Sequence, residues 1–203
     1  MGRAIRAERE KQIRRVPLTE KHMRNCELVL NRSVMLSRLN NFGCVAEIGV
    51  NQGQFSEQIL NIAKPNLLHL IDVWSSGRYH DGLYEQVSGR FRKQCEMGTV
   101  RIHRKLSLDA APEFQDRYFD WIYIDTDHGY ETTRAELIAY AEKVKLDGII
   151  AGHDYTMGGW VKSYRYGVIE AVHEFCVEFD WELVFLTVEP LENQSFAIRR
   201  MQG

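Results

Sequence analysis

The chain runs to 203 residues, and several things it has little of narrow its class. No apolar run approaches the roughly 20 residues that a membrane-spanning helix needs. The opening residues lack the apolar stretch of a secretory signal. Cysteine is scarce: Cys26, Cys44, Cys95 and Cys176 are scattered, with no CxxC pair and no zinc-like spacing. Cys44 and Cys176 lie in apolar stretches and read as small core residues. A reducing, cytoplasmic compartment is therefore the expectation. Proline is rare, and neither a low-complexity linker nor an internal repeat interrupts the pattern, so one domain with a short appendage is expected.

Net charge is also small, at −2, so no global field draws the chain to nucleic acid. What charge there is lies unevenly. Up to Val16 the basic residues Arg3, Arg6, Arg9, Lys11, Arg14 and Arg15 face only Glu8 and Glu10. Such an arm either touches RNA, an anionic membrane or an acidic partner, or forms a solvated helix face. The partner expected for the chain as a whole is a small molecule rather than nucleic acid, with self-association into a homo-oligomer left open.

Residues 1–41 read as a helical extension, basic to Arg15 and then amphipathic through Leu28, Leu30, Met35, Leu36 and Leu39. From residue 42 to 203 short apolar runs alternate with helical patterns. Strands are expected at 44–48, 67–71, 100–103, 121–124, 148–151, 182–188 and 195–199, and helices at 55–63, 83–97, 131–144 and 168–179. Alternation of strand and helix is the mark of βαβ crossovers, hence a doubly wound, Rossmann-like α/β sheet with helices on both faces. The last two strands lack a helix between them, which predicts a hairpin and one antiparallel strand.

The most informative segment is Ala46-Glu47-Ile48-Gly49-Val50-Asn51-Gln52-Gly53-Gln54-Phe55-Ser56, a strand that turns into a helix through glycines four apart. In open α/β sheets the ligand lies beyond the carboxyl ends of the strands. Glycine there either lets a ligand approach the backbone or serves local packing. A dinucleotide fingerprint would need glycine at 51 and 54, where Asn51 and Gln54 stand. The strand-end Glu47 suits a ligand carrying an ammonium group, not a pyrophosphate. S-adenosylmethionine (SAM) has that ammonium as well as a sulfonium. Asp72, closing the second strand, is placed to accept hydrogen bonds from ribose hydroxyls, a contact shared by NAD and SAM binders.

Two more polar clusters follow apolar strands: Ile124-Asp125-Thr126-Asp127-His128-Gly129-Tyr130 and Gly152-His153-Asp154-Tyr155. Asp125 and Asp154, with His153 or Asp127 nearby, offer ligands for a divalent cation; Mg²⁺ usually takes one or two carboxylates and keeps several waters. His128 is placed to take a proton near neutral pH. The competing reading is structural, with Asp127 or His128 capping the next helix. The loop Thr156–Gly167, rich in aromatics including Trp160, reads either as an acceptor-pocket wall or as a surface connection.

Together these motifs resemble the class I O-methyltransferases of the macrocin O-methyltransferase and cephalosporin hydroxylase-like group. The segments that carry the likeness are Glu47-Ile48-Gly49 with Gly53, Ile124-Asp125 with His128 and Tyr130, and Gly152-His153-Asp154-Tyr155. The resemblance implies a seven-stranded sheet with the last strand antiparallel and SAM as methyl donor. It implies Glu47, Gly49, Gly53, Asp72, Ser107 and Asp125 around that donor, with Ser107 near the adenine. A more distant similarity to the catechol-type methyltransferases implies Mg²⁺ at Asp125 and at the fifth strand, where His153-Asp154 stands in place of their Asp-Asn pair. The expected reaction is methyl transfer to a hydroxyl of a small molecule of sugar or natural-product type, with His128 or His153 as base. Two rivals are carried forward: a SAM-binding regulator that has lost catalysis, and an NAD-dependent oxidoreductase, against which Glu47 and the missing glycines count.

Overall fold

The computed structural model describes residues 8, 10, 11, 13–75, 81–159 and 164–202. Its strands are β1 (Glu27–Val29), β2 (Cys44–Ile48), β3 (Leu67–Asp72), β4 (Val100–Arg104), β5 (Phe119–Ile124), β6 (Val144–Gly152), β7 (Trp181–Thr187) and β8 (Phe196–Arg200). They form one sheet in the order β1-β7-β8-β6-β5-β2-β3-β4. Only β8 runs against its neighbours β6 and β7; the other pairings are parallel. The order reverses direction at β2 and β5, which opens a crevice at their carboxyl ends.

The helices are α1 (Arg32–Arg38), α2 (Gln54–Ile62), α3 (Asp81–Arg90), α4 (Arg92–Glu96), α5 (Ser107–Ala110), α6 (Tyr130–Ala141) and α7 (Val168–Phe179). They cover both faces of the sheet, which is why its central strands are apolar at successive positions rather than at alternate ones. On one face Ala46, Ile48, Ile122 and Ile150 pack with Leu137 and Tyr140 of α6 and Phe175 of α7. On the other, Val45, Leu70, Trp121 and Tyr123 pack with Met35 and Leu36 of α1 and with Phe55 and Ile59 of α2.

The expected α/β sheet is present with one strand more than the seven anticipated. The eighth, β1, comes from the stretch expected to be helical, pairing Glu27, Leu28 and Val29 with Phe185, Leu186 and Thr187. The reason is periodicity. Leu28 and Leu30 are two residues apart, so they would point to nearly opposite sides of a helix but share one side of a strand. Here they are 71% and 66% exposed while Val29 is buried. The chain then turns at Asn31, whose side chain accepts a hydrogen bond from the Val34 amide at 2.9 Å and caps α1. A second difference lies at 83–97, where buried Phe91 divides the expected single helix into α3 and α4.

Of the basic arm, Arg3, Arg6 and Arg9 lie outside the described residues. Arg14 pairs with Glu174 of α7 at 2.7 Å, and Arg15 with Glu10. These two charges are thus answered within the chain. No helix among the described residues is long and apolar enough to cross a membrane.

Candidate active site at the carboxyl ends of the strands

Four parallel strands end on one edge, and each is followed by a non-glycine residue with positive φ. These are Asn51 (53°) after β2, Trp74 (39°) after β3, His128 (62°) after β5 and Asp154 (56°) after β6. Such backbone costs energy and persists where the surroundings enforce it, commonly at functional sites. Sharp turns here send the chain out of the sheet and leave the strand-end side chains facing one crevice.

The glycine turn is built by packing. At Gly49 (φ +90°) a Cβ would meet the backbone oxygen of Asp125 at 2.0 Å, and at Gly53 (φ +76°) it would meet the Phe91 ring at 2.7 Å. Both glycines are therefore required by protein neighbours, whatever a ligand asks of them. Their absent side chains let the β2 and β5 turns touch, and the Asp125 amide donates to the Ile48 carbonyl at 2.8 Å.

Glu47 is 2% exposed beneath this turn. The Ser56 hydroxyl, three residues into α2, donates to its carboxylate. Burial, reinforced by the charges of Asp125 and Asp72, pushes the Glu47 carboxyl up to about 8. Arg32 acts on it electrostatically but commits its ion pair to Glu192 at 2.7 Å. A buried acid in this condition is stabilised as a carboxylate by a cationic ligand, so the residues present fit the ammonium end of SAM.

Asp72 does more than face a ligand. Its Oδ2 accepts from the amides of Val50 and Asn51, both at 2.9 Å, and its Oδ1 from the Trp74 amide at 3.1 Å. The side chain thus holds the glycine turn from the end of β3. Ser107 begins α5, and its carbonyl accepts from the Tyr140 hydroxyl at 2.8 Å. Its own hydroxyl is engaged with Glu136, a fully buried acid of α6.

The acid and histidine cluster converges. His128 Nδ1 lies 2.9 Å from Asp154 Oδ2 and 3.9 Å from Asp125 Oδ1. His153 Nδ1 lies 3.7 Å from Asp125 Oδ2 and 3.5 Å from Asp154 Oδ1. Asp125, His128 and Asp154 each bring one donor atom within 4.8 Å of the others. Burial would raise the Asp154 carboxyl, but hydrogen bonds from both histidines hold it well below the usual range. Burial would lower His128 and His153, yet the carboxylates outweigh it and both histidines are raised. Asp125 is raised, chiefly by burial and by Asp154.

Neither capping candidate caps α6, whose N-cap position is Gly129 with no side-chain cap bond; Asp127 instead braces the turn before it, accepting from the Gly129 amide at 2.8 Å and the Thr132 hydroxyl at 2.9 Å. His128 is left for the crevice, with the Tyr166 ring packed against it at 4.8 Å between centroids. Tyr166 belongs to the aromatic loop after β6, of which residues 160–163, including Trp160, lie outside the described residues. Two participants carried no sequence signal. Asn193, in the β7–β8 loop, donates to Asp154 Oδ1 at 2.5 Å. Arg32 reaches the crevice from the first turn of α1, a segment with no motif.

Residues 46–155, more than half of the chain, match the family described as a methyltransferase domain, and the chain belongs to that family. With the fold it defines a class I SAM-dependent methyltransferase. Among solved structures, a Corynebacterium glutamicum protein superposes with a TM-score of 0.62 at 14% identity, covering 99% of this chain and 89% of that one. A Bacillus subtilis tRNA methyltransferase gives 0.61 at 13% identity, covering 87% and 68%. A Thermotoga maritima spermidine synthase gives 0.53 at 18% identity, covering 84% and 57%. At such identities the likeness is one of fold. No curated protein matches the chain in sequence.

Proposed function

We propose that this methyltransferase acts on a hydroxyl group of a small molecule, with His128 as proton acceptor and Asp154 as the group that orients it. The observation carrying this reading is the 2.9 Å contact between His128 Nδ1 and Asp154 Oδ2 at the mouth of the crevice. An ionised carboxylate only accepts, so Nδ1 carries a hydrogen and, in the neutral ring, Nε2 keeps the lone pair. SAM, when bound, supplies a methyl group already activated by its sulfonium. The chain then has to align the acceptor and take its proton. Glu47 would hold the ammonium, Asp72 would face the ribose, and Asp125 closes the donor side against Gly49. Asn193 keeps Asp154 turned toward His128. As methyl transfer breaks the carbon–sulfur bond and releases S-adenosylhomocysteine, the acceptor hydroxyl's proton would pass to His128 Nε2.

A panel of sugar and phenolic acceptors, read by release of S-adenosylhomocysteine, tests the reading. His128→Asn should lower kcat by about 10²–10⁴-fold with cofactor affinity nearly unchanged. Turnover confined to amine or RNA acceptors, or a His128→Asn enzyme at full rate, overturns it.

A second reading is favoured by the 4.8 Å gathering of Asp125, His128 and Asp154. Two carboxylates suit Mg²⁺, and an added imidazole suits Mn²⁺ or a similar transition ion. In that case His128 serves as a ligand, and His153, whose buried Nε2 has no hydrogen-bond partner among the described residues, is the base. Loss of turnover in chelator, restored by Mg²⁺ or Mn²⁺, would select this reading over the first.

A further inference from the structure

The donor's amino-acid end carries two opposite charges on one carbon, and Glu47 answers only the ammonium. Arg32 stands where the other charge would fall. It is the first residue of α1, a helix fixed by the Asn31 cap and by fully buried Met35 and Leu36. Its guanidinium lies 4.7 Å over the ring of Phe55, the second residue of α2, just past the glycine turn. It engages the Tyr123 hydroxyl, and its charge acts on both Glu47 and Asp125. Its side chain is only 17% exposed. A cation this enclosed at the floor of a ligand crevice needs an anion, and in this state a carboxylate supplies it. Glu192, from the β7–β8 loop, is 2.7 Å away and 45% exposed.

We propose that Arg32 binds the α-carboxylate of the methyl donor and that Glu192 is a placeholder which the ligand displaces. The inference rests on reading Glu47 as the ammonium site. Arginine's planar fork matches a carboxylate in two-point geometry, whichever molecule provides it. Glu192 is half in water and on a loop, so it returns to solvent at little cost. The same loop carries Asn193, the partner of Asp154. Release of Glu192 therefore couples donor binding to the side of the crevice where the acceptor's proton is taken.

Calorimetric titration with two ligands tests this. S-adenosylhomocysteine has the amino-acid end; 5′-methylthioadenosine keeps the nucleoside and lacks it. Arg32→Gln should weaken S-adenosylhomocysteine by about 10- to 100-fold, the scale of hydrogen bonds to a charged group, while methylthioadenosine changes by less than about twofold. Glu192→Gln removes the competing charge from an exposed position and should tighten S-adenosylhomocysteine several-fold, again without effect on methylthioadenosine. Equal loss of both ligands in Arg32→Gln would reduce Arg32 to a structural role and overturn the proposal. So would unchanged S-adenosylhomocysteine binding. An unaltered Glu192→Gln affinity overturns the displacement. A wild-type protein that binds methylthioadenosine but not S-adenosylhomocysteine overturns the Glu47 reading on which both depend.

Discussion

Glu47→Gln separates what the buried acid costs the fold from what it does for the ligand. In the unfolded chain the carboxyl titrates near its ordinary 4.5, whereas in the ligand-free fold it is pushed up to about 8. Below the lower value both states hold the proton and burial costs nothing. Between the two, the unfolded chain has released a proton that the folded chain retains, so the wild-type protein loses stability as pH rises through this window. With about 1.36 kcal/mol per unit of pKa difference, the loss amounts to about 1.4 kcal/mol at pH 5.5 and about 4 kcal/mol at pH 7.5. Glutamine is near in shape, keeps an oxygen to accept the Ser56 bond and does not titrate. Any packing cost of the amide is the same at every pH, so the informative quantity is the change in the gap between variant and wild type. That gap should move in the variant's favour by about 2.5 kcal/mol between the two pH values, or about 5–10 °C in Tm for a chain of this size. Urea unfolding of both proteins at pH 5.5 and 7.5 measures it. Saturating S-adenosylhomocysteine should then favour the wild type, because Glu47→Gln loses the ammonium contact and binds about 10- to 100-fold more weakly. A gap independent of pH would show that Glu47 is not a strained buried acid, and the argument for its cationic ligand would fail with it.

Two further perturbations address the frame of the site. His69, 2% exposed in β3, shares a 2.8 Å hydrogen bond with His103 and a 3.2 Å one with the Tyr118 hydroxyl, and burial lowers its pKa to about 3. Its folded pKa lies below the unfolded 6.5, so the stability it lends is complete above that value and lost as pH falls toward 3. Urea unfolding of the wild type should show an acid loss of about 1.4 kcal/mol at pH 5.5 that His69→Gln lacks, and identical acid limbs would refute it. Asp72→Asn turns an amide toward the backbone donors of Val50, Asn51 and Trp74. Calorimetry should show S-adenosylhomocysteine and methylthioadenosine both weakened by about 10-fold or more, unlike the selective loss at Arg32; wild-type affinities would show that the turn holds itself.

The sheet and its ligand edge were legible in the sequence because both follow from local rules. Apolar runs separated by helical periodicity specify crossovers, and the right-handed crossover sends every strand-end acid to one side. Glu47, Asp72, Asp125 and Asp154 could be placed there from the sequence for that reason. Whether His128 caps the next helix or faces the crevice was open in the sequence; the backbone at φ +62° and the contact with Asp154 turn it to the crevice, and Gly129 takes the cap position. The role of the glycines also waited on structure, since contact between the β2 and β5 turns joins residues far apart in sequence. Leu28 and Leu30 misled because a three-residue strand is too short to show its period, and β7 supplies the edge that makes it one. Arg32 and Asn193 stand at opposite ends of the chain in segments without motif. Their place at the site comes from α1 packing on α2 and from the β7–β8 loop, and no local pattern encodes a contact that exists only once the sheet has closed between them.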